Sequence, residues 1–315
     1  MYRSDRWLRI RLDKCRVQLT EREALVSWVH AARHQSPVLF VGAGFSLNAV
    51  SRPGTGGASA MSTWSQLTTA LRRGLLDSDS SDDDALWVAQ RYLEEYGLHA
   101  LVARIREAVP DDRMDPGPAH FALRKIRWHS ILTLNFDTLL ERAFATDLIR
   151  EIHAVHEEQH LVDVDRDGTL PILHLHGVLH DQESIVLTLE HFRKYPDTHR
   201  VFLTVARQLL LQHPVMFLGF GATDPNFIAW SGWIRDSLRS YQPPWIRLQP
   251  SAHRSTSTGF EKYWGTQLKT IGYQHEGAGF EALMNIVSAA LQELGVNDIV
   301  PYAIELAELE TAASD

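Results

Sequence analysis

Pro37-Val-Leu-Phe-Val-Gly-Ala-Gly-Phe-Ser46 sets a run of four apolar residues directly before two glycines separated by one alanine. Val38 to Val41 show no apolar/polar alternation, which predicts a strand covered on both faces, as in a mainly parallel sheet. Gly42 and Gly44 then predict a tight strand-to-helix turn whose N–H groups could meet an anion such as phosphate. Steric need alone accounts for such a turn equally well.

Three later stretches repeat the pattern of an apolar strand ending in polar residues: Ile131 to Asp137 (Ile-Leu-Thr-Leu-Asn-Phe-Asp), Ile172 to Gly177 (Ile-Leu-His-Leu-His-Gly) and Val215 to Asp224 (Val-Met-Phe-Leu-Gly-Phe-Gly-Ala-Thr-Asp). Open α/β sheets bind ligands outside the carboxyl ends of their strands. Four strand ends carrying Gly, Asn, Asp and His therefore predict one shared site. Asn135 is expected to project from its strand end, and Asp137 also suits a helix cap. Strand alternation sends His174 and His176 to the same face. His176, followed by Gly177, is the better chemical residue, and His174 the better structural one.

The rest of the chain supplies scaffold. Thr20-Glu21-Arg22-Glu23 fits a capping box, and Leu25, Trp28, Val29 and Ala32 follow at helical spacing. Ser51 to Ser59 reads as a loop, either a lid over the site or a plain connection. Thr63-Trp64-Ser65-Gln66 fits a second capping box, opening a helix to about Leu76, and Asp77 to Asp84 reads as a solvated loop. Helical patterns at 85–96, 98–109 and 118–128 predict a small helical lobe, about residues 64–128, inserted between the first two strands. Residues 149–169 are polar and irregular. Helices are expected at 188–195 and 198–212, broken at Pro196, and from Asp224-Pro225 to Leu238. Further strands at Trp245 to Leu248 and Leu268 to Tyr273 and a helix from Phe280 to Leu294 complete an α/β alternation with helices on both sheet faces. One domain spanning 1–295 and a tail at 296–315 are expected.

Composition narrows the function. Of 315 residues, 44% are hydrophobic and 22% charged, which suits a folded globular chain. A net charge of -8 without a basic run gives no nucleic-acid surface. Val201 to Leu211 is interrupted by Arg207 and Gln208, so no span is expected, and the N-terminus has no apolar signal core, which predicts a cytoplasmic protein. Cys15 is the only cysteine, excluding a multi-cysteine zinc site. The histidines are scattered; His153, His156 and His160 read as solvated, and no metal is expected.

In order and spacing, Gly-Ala-Gly-Phe-Ser (Gly42 to Ser46), Thr-Leu-Asn-Phe-Asp (Thr133 to Asp137), Leu-His-Gly (Leu175 to Gly177) and Gly-Phe-Gly-Ala-Thr-Asp-Pro-Asn (Gly219 to Asn226) resemble the sirtuin superfamily. More narrowly, they resemble the prokaryotic SIR2-like proteins of antiphage defence, over about residues 37–275. The resemblance implies a Rossmann-like parallel sheet with NAD across the strand ends. It assigns Gly42, Ala43, Gly44, Phe45 and Ser46 to the pyrophosphate and adjoining ribose, Asn135 and Asp137 to the nicotinamide side, and His176 to the catalytic base. Gly219, Gly221, Thr223 and Asp224 would border the adenosine and its ribose. Trp64 matches a tryptophan that many SIR2-like relatives carry after the first motif.

The deacylases of the superfamily carry a four-cysteine zinc module and an arginine-bearing segment after the first motif. Here there is one cysteine, and Ser51 to Ser59 differs. The resemblance thus implies an NAD glycohydrolase, releasing nicotinamide and ADP-ribose as the NAD-depleting effector of an abortive-infection system. An NAD-dependent deacylase and a non-catalytic NAD or ADP-ribose binding subunit are the alternatives. A dehydrogenase is disfavoured by Leu47, which stands where a third glycine is needed. Such an NADase must be restrained, so a homo-oligomer and a separately encoded sensor protein are expected. The helices of 85–128 and the apolar positions Ile299 to Leu309 of the tail are candidate contact surfaces.

Overall fold

The computed structural model describes residues 8, 12, 19–54, 60–76, 84–145, 150–163, 168–221, 224–251, 268–273 and 278–294. Thr223, most of the Ser51 to Ser59 loop, the acidic run 77–83 and the tail 296–315 lie outside them, as does the Thr20 side chain and with it the first capping box.

Helix α1 (Leu19–His34) leads into β1 (Val38–Val41) and a single helical turn, α2 (Ala43–Ser46). Strand β2 (Val50–Ser51), helices α3 (Trp64–Gly74) and α4 (Ala85–Ala108), β3 (Met114–Asp115) and α5 (Pro118–Ala122) follow before β4 (Ser130–Thr133). The chain continues through α6 (Leu139–Phe144), β5 (Glu151–Val155), β6 (Thr169–His174), α7 (Leu189–Thr198), α8 (Arg200–Gln212) and β7 (Val215–Leu218). It closes with α9 (Pro225–Leu238), β8 (Trp245–Pro250), β9 (Leu268–Tyr273) and α10 (Ala278–Glu293).

Seven strands form one sheet in the order β5-β6-β4-β1-β7-β8-β9, and every pairing is parallel. β1 is central, and the chain builds outward from it first through β4 and then through β7. This Rossmann-like order places the switch in winding direction beside β1, where a crevice opens at the strand ends. The unalternating sequence of β1 now has its cause. Leu39 and Val41 join a core with α1, α5, α6 and α10, whereas Val38 and Phe40 join a second core with α7, α8 and α9.

Several expectations need correction. β5 lies within the stretch read as irregular. At the sheet edge it keeps only Val155 buried, with Ile152 and His153 half-buried and Glu151 and Ala154 exposed, so no apolar run marks it. The inserted lobe is smaller than residues 64–128. α3 and α4 share a core of their own, but Ala119, Ala122, Leu123, Ile126 and Trp128 pack into the sheet core, and the regular helix there ends at Ala122. β2 and β3 pair antiparallel at the base of the insertion. Pro196 does not break the helices: it sits inside α7, and the interruption falls at His199. Thr63 and Gln66 form the expected capping box, with the Thr63 N–H donating to Gln66 Oε1 at 2.7 Å. Among the described residues no helix is long and apolar enough to cross a membrane.

Candidate active site

The ends of β1, β4, β6 and β7 do converge. Gly42, Ala43, Gly44, Ser46, Asn135, Asp137, His176, Gly219, Gly221 and Asp224 all line one cavity of about 590 Å³. That volume lies within the ~300–1,000 Å³ usual for ligand pockets. The insertion adds to the lining: Met61, Thr63, then Trp64, Ser65 and Leu67 of α3, and Asp84 to Leu86 at the start of α4. Asp84, exposed at the end of the acidic run, is the N-cap of α4 and accepts from the Leu86 N–H at 2.8 Å. Trp64, the first residue of α3, lines the cavity. Residues 51–54 do not reach the cavity, so the described part of that loop is no lid.

The glycines act by close approach. A Cβ on Gly42 or Gly44 would lie 2.8 or 2.9 Å from the Gly219 carbonyl oxygen, and one on Gly219 would lie 1.9 Å from the Phe45 nitrogen. The turns after β1 and β7 therefore touch backbone to backbone. The Gly42 N–H donates to Leu218 O, Gly44 N–H to Gly219 O and Phe45 N–H to Gly42 O, each at 2.9 Å. These three donors are already engaged, so the expected open anion nest gives way to a steric role for the turn. Phe45 also departs from its assignment. Its side chain turns away from the cavity into the core, against His120 and Phe280.

Ser46, Asn135 and Asp137 form a buried relay. The Ser46 hydroxyl donates to Asp137 Oδ2 at 2.7 Å, and Asn135 Nδ2 donates to Ser46 Oγ at 2.9 Å. Because the serine proton is committed to the carboxylate, its oxygen must accept, which fixes the orientation of the Asn135 amide. Asn135 Oδ1 is left buried with no hydrogen-bond partner among the described residues. Thr138, not Asp137, is the N-cap of α6; Asp137 stands one residue earlier, and its Oδ1 accepts from the Leu139 N–H at 3.2 Å. Burial pushes its carboxyl up to about 6, with the Ser46 hydroxyl pulling the other way.

His174 and His176 do not share a face. β6 ends at His174, so strand alternation lapses there, and Gly177 turns the chain at φ +83. His174 Nε2 pairs with Glu141 of α6, and its Nδ1 meets the Asn135 carbonyl at 3.1 Å. Burial alone would lower its pKa, but the Glu141 carboxylate carries it above the ordinary value. His176 lies on the α7 side, beside the Phe192 ring, with Nε2 3.5 Å from Asp224 Oδ2. That approach permits a charge interaction, but Nε2 has no hydrogen-bond partner among the described residues. Burial lowers the His176 pKa, opposed by Asp224, which favours the neutral, proton-accepting imidazole. Asp224 thus faces the histidine, a contact that its spacing in sequence did not reveal. Glu141 was also missed: on a helical pattern it reads as an ordinary surface residue.

Residues 129–268 match the family model described as a SIR2-like domain. The chain is 27% identical over 165 residues to "NAD(+) hydrolase ThsA" of Acinetobacter baumannii, covering 52% of this chain and 34% of that one. It is 22% identical over 216 residues to the Bacillus cereus protein of the same name, covering 66% and 42%. It is 21% identical over 238 residues to "Defense-associated sirtuin 2" of Bacillus subtilis, covering 73% and 22%. The chain thus spans less than half the length of these curated relatives. Family match, parallel sheet and converging strand-end motifs agree: residues 129–268 are similar to a SIR2-like domain.

Proposed function

We propose that this chain is an NAD glycohydrolase that cleaves NAD to nicotinamide and ADP-ribose and serves in antiphage defence. One observation carries the reading: two buried polar atoms, Asn135 Oδ1 and His176 Nε2, have no hydrogen-bond partner among the described residues and belong to residues lining the same cavity. Buried polar groups are normally satisfied, so a pair left open in one pocket fits partners supplied by a ligand. The names of the curated relatives support the choice of NAD and of a defence role.

Breaking the nicotinamide–ribose bond leaves an oxocarbenium-like sugar that water must trap. His176, neutral and beside Asp224, takes the proton from water or from a ribose hydroxyl. Asn135, its amide held by Ser46, accepts a hydrogen bond from that hydroxyl without competing for the proton. Asp137 keeps the relay oriented. Gly42, Ala43, Gly44 and Ser46 border the pyrophosphate, and Gly219 and Gly221 the adenosine side. The assigned chemistry draws on imidazole, amide and carboxylate groups, with no metal ion in the reaction. Activity is restrained by homo-oligomerisation and by a separately encoded sensor, since unrestrained cleavage would exhaust the cell's NAD.

The test is incubation of the purified chain with NAD, alone and with its genomic neighbour's product, followed by nucleotide chromatography. Nicotinamide and ADP-ribose are expected to accumulate. His176→Ala and Asn135→Ala should each slow this by at least ~10²-fold with thermal unfolding unchanged. Wild-type rates in both variants would overturn the assignment.

A further inference from the structure

We propose a second site, for a divalent transition-metal cation of the zinc class, formed by His156, Glu157 and Asp181 at the edge of the sheet. His156 and Glu157 directly follow β5, and Asp181 lies in the loop after β6. Pairing of β5 with β6 brings the two segments together. One ligand atom from each of the three residues lies within 4.8 Å of the others, and all three side chains are half-buried. His156 Nε2 is 3.9 Å from Asp181 Oδ2. None of the three lines the NAD cavity.

Asp181 is held ready for this contact. Its Oδ1 accepts from the Glu183 N–H at 3.2 Å, capping a short helical turn, while Oδ2 faces the imidazole. Glu157 is braced by Gln159, whose Nε2 donates to Glu157 Oε2. The His180 ring stands edge-on to His156 with centroids 5.2 Å apart. Imidazole nitrogen combined with two carboxylates suits zinc, whereas calcium and magnesium prefer all-oxygen shells.

The position gives the cation a role. Asp181 belongs to a loop that begins at Gly177 and returns to His176, where the Val186 N–H donates to the His176 carbonyl at 2.9 Å. A bound cation would clamp this loop to the end of β5, and so steady the segment that presents His176.

The test is calorimetric titration of the metal-free full chain with zinc chloride. One site is expected in the wild type, with affinity weakened at least ~10-fold in His156→Ala and in Asp181→Asn. Glu157→Gln replaces either variant that fails to melt like the wild type without zinc. His176→Ala should bind zinc as the wild type does, which separates this site from the NAD reading. Equal zinc binding by the wild type and the His156→Ala/Asp181→Asn double variant would overturn the site. Equal competition by magnesium would overturn the assigned cation class.

Discussion

His176 Nε2 and Asp224 Oδ2 lie 3.5 Å apart at the cavity wall, while Asp224 Oδ1 accepts from the Phe227 N–H at 2.8 Å and caps α9. One carboxylate therefore anchors a helix and aims its second oxygen at the histidine. Because the cap restrains Asp224, its charge stays where it raises the affinity of His176 for a proton.

Asp224→Asn should separate these two duties. Asparagine caps helices about as well as aspartate, so the fold is expected to survive. The lost charge had been raising the His176 pKa, so the acidic limb of the pH–rate profile should move to lower pH. Maximal NAD cleavage should fall roughly 10-fold as the base weakens. An acidic limb that stays in place would show that Asp224 does not act through His176.

Asp137 links the relay to stability. Its carboxyl is raised from 3.8 to about 6 in the folded state, chiefly by burial. The folded protein then binds more protons than the unfolded chain between those values, so this group's contribution falls as pH rises through the window. At ~1.4 kcal/mol per unit, the full span is about 3 kcal/mol. His120, lowered to about 4 by burial, acts in the opposite direction but is common to wild type and variant. Relative to wild type, Asp137→Asn should gain most of that ~3 kcal/mol between pH 4 and 6.5 in urea denaturation. A difference independent of pH would mean that Asp137 is not raised.

Gly219 and Gly54 both have positive φ, at +58 and +86, but their surroundings differ. A Cβ on Gly219 would strike the Phe45 nitrogen at 1.9 Å and the Gly44 carbonyl carbon at 2.6 Å, whereas nothing lies within 4 Å of one on Gly54. Gly54→Ala should cost only the ~1–2 kcal/mol of a left-handed residue. Gly219→Ala should exceed ~4 kcal/mol, because backbone rather than a flexible side chain must move. Equal costs in chemical denaturation would show that the two turns are not in contact.

The sequence by itself determined what depends on near neighbours. Val38 to Val41, buried on both faces, had to read as an unbroken apolar run, and Thr63 with Gln66 announced the start of α3 through a local hydrogen-bond exchange. The convergence of the four strand ends was legible too, because a parallel sheet places every carboxyl end on the same edge. Tertiary structure alone decided the directions of side chains beyond those ends. Phe45 turns into the core and His176 parts from His174, since past the last paired residue orientation follows the turn and the elements packed against it. β5 was hidden because at the sheet edge only Val155 is buried and Ile152 half-buried, too few apolar positions to form a run. The pairing of Asp224 with His176 and the gathering of His156, Glu157 and Asp181 join residues 48 and about 25 positions apart, a distance set by how strands order in the sheet. Local periodicity carries no record of that order, because it arises from which elements bury their faces against one another.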